Sequence, residues 1–235
     1  MRLIIILSIF LTSLSAWAGT FKDDFSDGDC SGWQVVAMDS WDTNVWDRIS
    51  IAEGILSIDS MDKPEQPTAL CIIRNWKDYS FSADMRIAKA ESGGGNIDTG
   101  GLIVSRVEEQ LSYSGYWIMG CTRHGIWGAG SLTKSKFNVN AWVVFLAGVP
   151  RIGEWYRLNI DQEGSKISSY ISDELKHQAN DDLQKSGGVC LVAYNAIVEF
   201  DNVVITGDDI PDVEPSGYAV QPKAKLTATW GEIKK

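Results

Sequence analysis

Ten tryptophans in 235 residues are the first chemical signal in this chain. An indole face stacks on the C–H patches of a sugar ring, and the ring's edge hydroxyls take hydrogen bonds from Arg, Asp and Asn. Trp41, Trp127 and Trp142 fall in or beside candidate loops, with Asp42, Arg106, Arg123 and His124 as polar partners. The ligand-binding candidates are therefore Trp41, Arg106, Trp127, Trp142, Arg123 and His124. Trp33, Trp46, Trp76 and Trp155 read as core or sheet-edge packing. Without a ligand, His124 is an ordinary loop histidine and His177 a surface one.

Hydrolytic chemistry on a saccharide needs two carboxyl groups, about 5–5.5 Å apart in a retaining enzyme. On a strand, alternate residues share a face and adjacent ones do not. The acidic clusters here are Asp23-Asp24, Glu108-Glu109, Asp173-Glu174 and Asp181-Asp182, all adjacent pairs that point to opposite faces. No catalytic residue is assigned. Residues scattered over several strands remain a route to catalysis.

The elements that must position these groups are strands. After Gly19 the chain is punctuated by turns and carries no long stretch of period 3.6. Thirteen strands are predicted: 21–25, 33–36, 47–51, 54–59, 68–75, 79–88, 101–107, 115–122, 142–147, 155–161, 166–172, 188–194 and 198–206. Asp181–Lys185 reads as one helical turn at most. The strands are of two kinds. YSFSADMRI (Tyr79–Ile87), WYRLNID (Trp155–Asp161) and KISSYIS (Lys166–Ser172) alternate apolar with polar residues, as a sheet with one wet face requires. LCII (Leu70–Ile73), LIV (Leu102–Val104), YWIM (Tyr116–Met119) and VCLVAY (Val189–Tyr194) are apolar on both faces. One of their faces must meet the first sheet, and the other is either covered by loops or holds a ligand.

Composition bounds the setting. Leu3–Leu14 is a 12-residue apolar run behind Arg2, followed by Ala16-Trp17-Ala18, the pattern of a signal peptide cleaved after Ala18. Such a run is too short to span a bilayer. Asp and Glu number 31 against 21 Lys and Arg, for a net charge of −10, which disfavours nucleic acid and anionic membrane as partners. Cys30, Cys71, Cys121 and Cys190 in an exported chain favour at least one disulfide, with three connectivities open for two. Cys71 and Cys190 sit in apolar strands and read equally as buried thiols. Glu91–Gly101 is a Gly-rich loop without a phosphate-binding pattern. Residues 19–210 form the domain, and 211–235 are a Pro-containing linker and short basic-aromatic tail.

FKDDFSDGDCSGWQVV, GILSID, YSFSADMRI, GGLIVSRV, EWYRLNIDQEGSKISSYISDE and SGGVCLVAYNAIVEFDNVVITGDDIP follow one another between Phe21 and Pro211. In this order they resemble concanavalin A-like lectin/glucanase domains of the laminin-G-like and 3-keto-disaccharide-hydrolase-like kind. The resemblance implies an all-β, two-sheet antiparallel jelly roll. It implies carbohydrate on the concave face or loop rim, and in some members glycan cleavage. The Glu-x-Asp-x-(x)-Glu strand of the family 16 glucanases is absent. GYWIMGCTRHG has Tyr116, Arg123 and His124 but not the Gln-x-His of the jelly-roll lyases. Related folds often hold a structural calcium ion, and if the first and last strands pair, Asp23 or Asp24 comes close to Asp201; these three are the metal candidates. Otherwise they cap turns or face solvent. Three functions stay open: a secreted glycan-binding module, a glycoside hydrolase or polysaccharide lyase, and a laminin-G-like protein-interaction module. The glycan and the oligomeric state are not read from the sequence.

Overall fold

Alternating side chains sort the strands into two sheets. The computed structural model describes residues 18–37, 45–61, 67–90, 99–108, 115–132 and 143–212. The expected signal peptide, the Gly-rich loop at 91–98 and the tail from 213 lie outside these residues, as do Trp41 and Trp142. The first sheet contains β1 (Gly19–Asp23), β3 (Ile49–Ala52), β4 (Ile55–Asp59), β6 (Tyr79–Ala90), β11 (Trp155–Glu163), β12 (Lys166–Ile171), β13 (Glu174–Asn180) and β15 (Ala196–Gly207). Its order is β13-β12-β11-β6-β15-β4-β3, with β1 also on β15. The second contains β2 (Gln34–Ala37), β5 (Thr68–Trp76), β7 (Gly100–Val107), β8 (Gly115–Cys121), β9 (Ile126–Leu132), β10 (Val143–Leu146) and β14 (Gly187–Tyr194), in the order β10-β9-β8-β7-β14-β5-β2. Every pairing is antiparallel.

The long β15 organises the first sheet. One edge runs along β6, while the other is shared between β4, at Ile197–Phe200, and β1, at Val203–Gly207. At the seam the register shifts between Asp201 and Val204, and Asn202 takes φ 50°, a bulge that ends one pairing and begins the next. The first and last strands thus pair as expected.

Both kinds of strand fall where their pattern dictates. The alternating strands β6, β11 and β12 lie in the first sheet, and the doubly apolar strands β5, β7, β8 and β14 in the second. Phe81, Met85, Leu158, Ile160, Phe200 and Ile205 from one sheet meet Leu70, Ile72, Ile103, Ile118, Trp127 and Leu191 from the other in a single core. On its outward side the second sheet carries a separate apolar cluster: Ala69, Cys71, Leu102, Val104, Val107, Trp117, Cys190 and Val192, none more than 7% exposed.

Two strands were not predicted. β9 reads IWGAGSL, and the glycines that face outward erase the apolar alternation. β13 reads ELKHQAN, a polar edge strand whose charges discourage further pairing. The helical turn expected at Asp181–Lys185 does not form. The Asp181 carboxylate accepts the Leu183 N–H (2.8 Å) and the Tyr116 hydroxyl (3.1 Å), which pins the segment against the sandwich without a helix. The one helical element among the described residues is a 3-10 turn at Trp46–Arg48, inside a stretch expected to be strand.

Cys71 and Cys190 face one another on β5 and β14 and form a disulfide on the second sheet's outward side, with their Cα atoms 4.2 Å apart. Cys30 and Cys121 are not disulfide-bonded, and burial pushes the Cys30 thiol up to about 12. The disulfide fits an oxidising compartment. No helix among the described residues is long and apolar enough to cross a membrane.

Candidate functional site

Register builds the outward face of the second sheet in rows. One row runs Val143, Gly130, Trp117, Val104, Cys190, Cys71 and Gln34 across β10, β9, β8, β7, β14, β5 and β2. The next runs Phe145, Gly128, Met119, Leu102, Val192 and Ala69. These rows hold no charged residue. Gly128 contributes no side chain, and the Trp117 ring fills the space: a Cβ built on Gly128 would lie 3.2 Å from the indole. Trp117 is 7% exposed, and its enclosed indole N–H has no hydrogen-bond acceptor among the described residues. Met119, Ile73 and Tyr194 border the cluster and are half-buried. The face therefore offers an aromatic ring, a thioether, a phenol and one unsatisfied donor. It offers no acid or base.

The sequence-predicted ligand residues separate in space. Arg123 and His124 are exposed in the turn between β8 and β9, at the lip of this sheet. That turn abuts the segment after β10, since a Cβ on Gly125 would lie 3.5 Å from Val149. Trp127 points the other way, into the core, 2% exposed and edge-on to Tyr156 at 4.9 Å. Arg106 is 1% exposed at the far end of the sandwich. Its guanidinium donates to the carbonyls of Lys77 (3.1 Å), Gln184 (2.8 Å) and Gly164 (3.0 Å) and to the Asp78 carboxylate (3.2 Å). Its backbone N–H donates to the Tyr79 hydroxyl (2.6 Å). A φ of 53° swings Arg106 out of the strand alternation that made it read as a surface residue. The structure thus places Arg106 and Trp127 in the framework and leaves Arg123 and His124 beside the face. Trp117 was missed because it sits in a doubly apolar strand and reads as core.

The three acids proposed for a cation also divide. Asp23 turns inward: its Oδ1 accepts the Phe25 N–H (2.9 Å) and its Oδ2 the Trp33 indole N–H (2.7 Å). Burial pushes its carboxyl up to about 6, against the lowering effect of those hydrogen bonds. The Ser26 hydroxyl and amide hold Asp24 below the usual carboxylate range. Asp201 is pushed up, chiefly by burial and also by the nearby charges of Asp84 and Asp24. Asp24 and Asp201 do approach one another, but among the described residues no group of three or more His, Cys, Asp or Glu gathers to hold a metal.

Other carboxylates pair with arginines on the first sheet or line a cleft at its end. On the outward face of the first sheet Asp84 pairs with Arg157 (3.2 Å) and Glu199 with Arg86, whose guanidinium lies 4.6 Å from the Trp155 ring centre. A cleft of about 240 Å³ at the end of that sheet is lined by Asp78, Ser80, Asp161, Glu163 and Asp208, among others. Tyr79 and Tyr116, whose hydroxyls are tied to backbone and to Asp181, are pushed up by burial, Tyr116 to about 12, so neither phenol serves as a base near neutrality.

Two packed antiparallel sheets, linked in this order, define an all-β jelly-roll sandwich of the concanavalin A-like class. A family model of 3-keto-alpha-glucoside-1,2-lyase-like domains matches residues 20–206, and the chain belongs to that family. Among solved structures it is similar to the carbohydrate-binding module CBM66 from Bacillus subtilis, at 18% identity over 74% of this chain and 94% of that one, with a TM-score of 0.54. It is also similar to the laminarinase from Rhodothermus marinus, at 14% identity over 81% and 97%, TM-score 0.59. The Emp47p carbohydrate recognition domain shares 12% identity over 82% and 96%, TM-score 0.52. At these identities the likeness is one of fold. No curated protein matches the chain.

Proposed function

We propose that the chain is an exported module that binds a glycan at the outward face of the second sheet and does not cleave it. The observation that carries this reading is Trp117: a buried indole on an uncharged face, whose N–H finds no acceptor among the described residues. An unpaired buried donor costs about 1–3 kcal/mol, which a ligand hydroxyl relieves. Arg123 and His124 at the lip supply polar contacts beside the half-buried Met119 and Tyr194. The neighbours named for carbohydrate-binding and carbohydrate-recognition domains support a binding role on this fold, and the apolar leader with its Ala16-Trp17-Ala18 site supports export. Binding on an oligosaccharide array, followed by titration calorimetry, tests the reading. Trp117→Phe keeps an aromatic ring and removes the donor, and it is expected to weaken binding about 10-fold, the effect of one hydrogen bond. Failure of every oligosaccharide to bind would overturn the proposal.

A second reading rests on the acidic cleft, where Asp161 and Glu163 alternate along β11 and so share a face. Here free space meets several carboxylates, and that favours hydrolysis over binding. Release of reducing ends from bound oligosaccharides, abolished in Asp161→Asn or Glu163→Gln, would establish it in place of the binding role.

A further inference from the structure

Five of the large apolar side chains that reach solvent fall within thirteen consecutive residues. Phe145 is 76% exposed, Val149 57%, Ile152 54%, Val143 40% and Trp155 38%. They begin on β10, the last strand of the second sheet, and continue through the connection that crosses to β11 in the first. This connection is held in place. The Gly153 N–H donates to the Ile87 carbonyl (2.9 Å), the Arg151 N–H to the Tyr156 hydroxyl (3.2 Å), and that hydroxyl in turn to Glu154 (2.8 Å). A pinned segment that displays apolar side chains is a preformed contact surface.

We propose that this surface joins two copies of the chain, edge to edge through β10. The strand is paired with β9 on one side, and in the sheet order no described strand follows it on the other, so its outer backbone groups are a template for a further strand. The opposite edge of the first sheet, β13, carries Glu174, Lys176 and His177; β10 reads Val-Val-Phe-Leu and carries no charge. An antiparallel partner related by a two-fold axis through Val144 sets Val143 of each copy opposite Phe145 of the other on the outward face. Val144 then meets its own symmetry mate on the inner side. Such a contact is self-complementary and closed, as an isologous dimer requires. The self-complementary edge selects a second copy as the occupant, and charge permits it. Two chains of net charge −10 repel over most of their surfaces, but the charges within residues 143–155 are Arg151 and Glu154, which pair with each other at 3.1 Å and cancel. The same acidity disfavours an anionic lipid surface as the partner.

Sedimentation velocity on the mature chain, from about 1 to 100 µM, tests the proposal. The expected result is a monomer–dimer equilibrium that tightens several-fold between about 0.1 and 1 M salt, as screening removes repulsion and leaves the apolar contact. Phe145→Lys is expected to weaken dimerisation at least about 30-fold, the loss of a central aromatic contact, with an unchanged melting temperature because the side chain is exposed. Val143→Glu, also at an exposed position, provides a second variant with the same expectation. Leu175→Lys, on β13, should leave the dimer intact. A wild-type chain that stays monomeric to about 100 µM overturns the proposal. So does a dimer that survives both β10 substitutions, or one lost in the β13 variant.

Discussion

Asp23 shows how one buried carboxylate ties a terminus to the core and carries a pH dependence. The Trp33 indole and the Phe25 amide both donate to it, and Trp33 packs against Phe21 and Phe25 with ring centres 6.2 Å apart in each case. Its carboxyl is raised from 3.8 to about 6, first by burial. A group with a folded value above its unfolded one favours the folded state fully below the unfolded value, and that contribution is lost as pH rises through the folded one. Stability from Asp23 is therefore expected to fall between about pH 4 and 6, by up to roughly 3 kcal/mol. Urea midpoints measured across that window should show the decline in the wild type. Asp23→Asn should flatten it, while leaving one buried donor without its acceptor. A variant with the wild-type slope would assign the pH dependence to other groups. Trp117 belongs to the same scale. Its type and position are plain in the sequence, but its burial and the state of its N–H are not, because those depend on residues distant along the chain.

At the scale of elements, patterning decided much and local chemistry the rest. The doubly apolar strands forecast a sheet with two apolar faces, one against its partner sheet, and the alternating ones a sheet with a wet side; both are found. Strands β9 and β13 were illegible for opposite reasons. Glycine gives β9 no periodic signal, and polarity gives β13 no apolar one, so each is strand because its neighbours offer a ladder. The Cys71–Cys190 bridge ties two such neighbours that are 119 residues apart in sequence. Cross-links over long loops stabilise by about 2–4 kcal/mol. Replacing both cysteines with alanine is accordingly expected to lower the melting temperature by several degrees and to leave the far-ultraviolet spectrum of a β protein. An unchanged melting temperature would mean that β5 and β14 are held by packing alone.

For the whole molecule, the acidic balance and the uncharged outward face make separate predictions. If the ligand is a neutral glycan held on that face, affinity should change less than about two-fold between 0.05 and 0.5 M salt, since no charges are neutralised on binding. A steep loss of affinity with salt, seen by calorimetry, would move the contact to Arg123 and His124 and make the ligand anionic. The chain by itself determined the fold class and the two-sheet division. These follow from side-chain alternation and turn residues, which are local properties. Only the tertiary structure decided which polar residues belong to a site. Arg106 and Trp127 became framework through a backbone bulge and a strand's facing. Trp117 came to lie on an outward face through its strand's register, and the apolar segment from Val143 to Trp155 reaches solvent through what its neighbours leave uncovered. Burial and hydrogen-bond satisfaction depend on residues distant in sequence, and no spacing along a strand reports them.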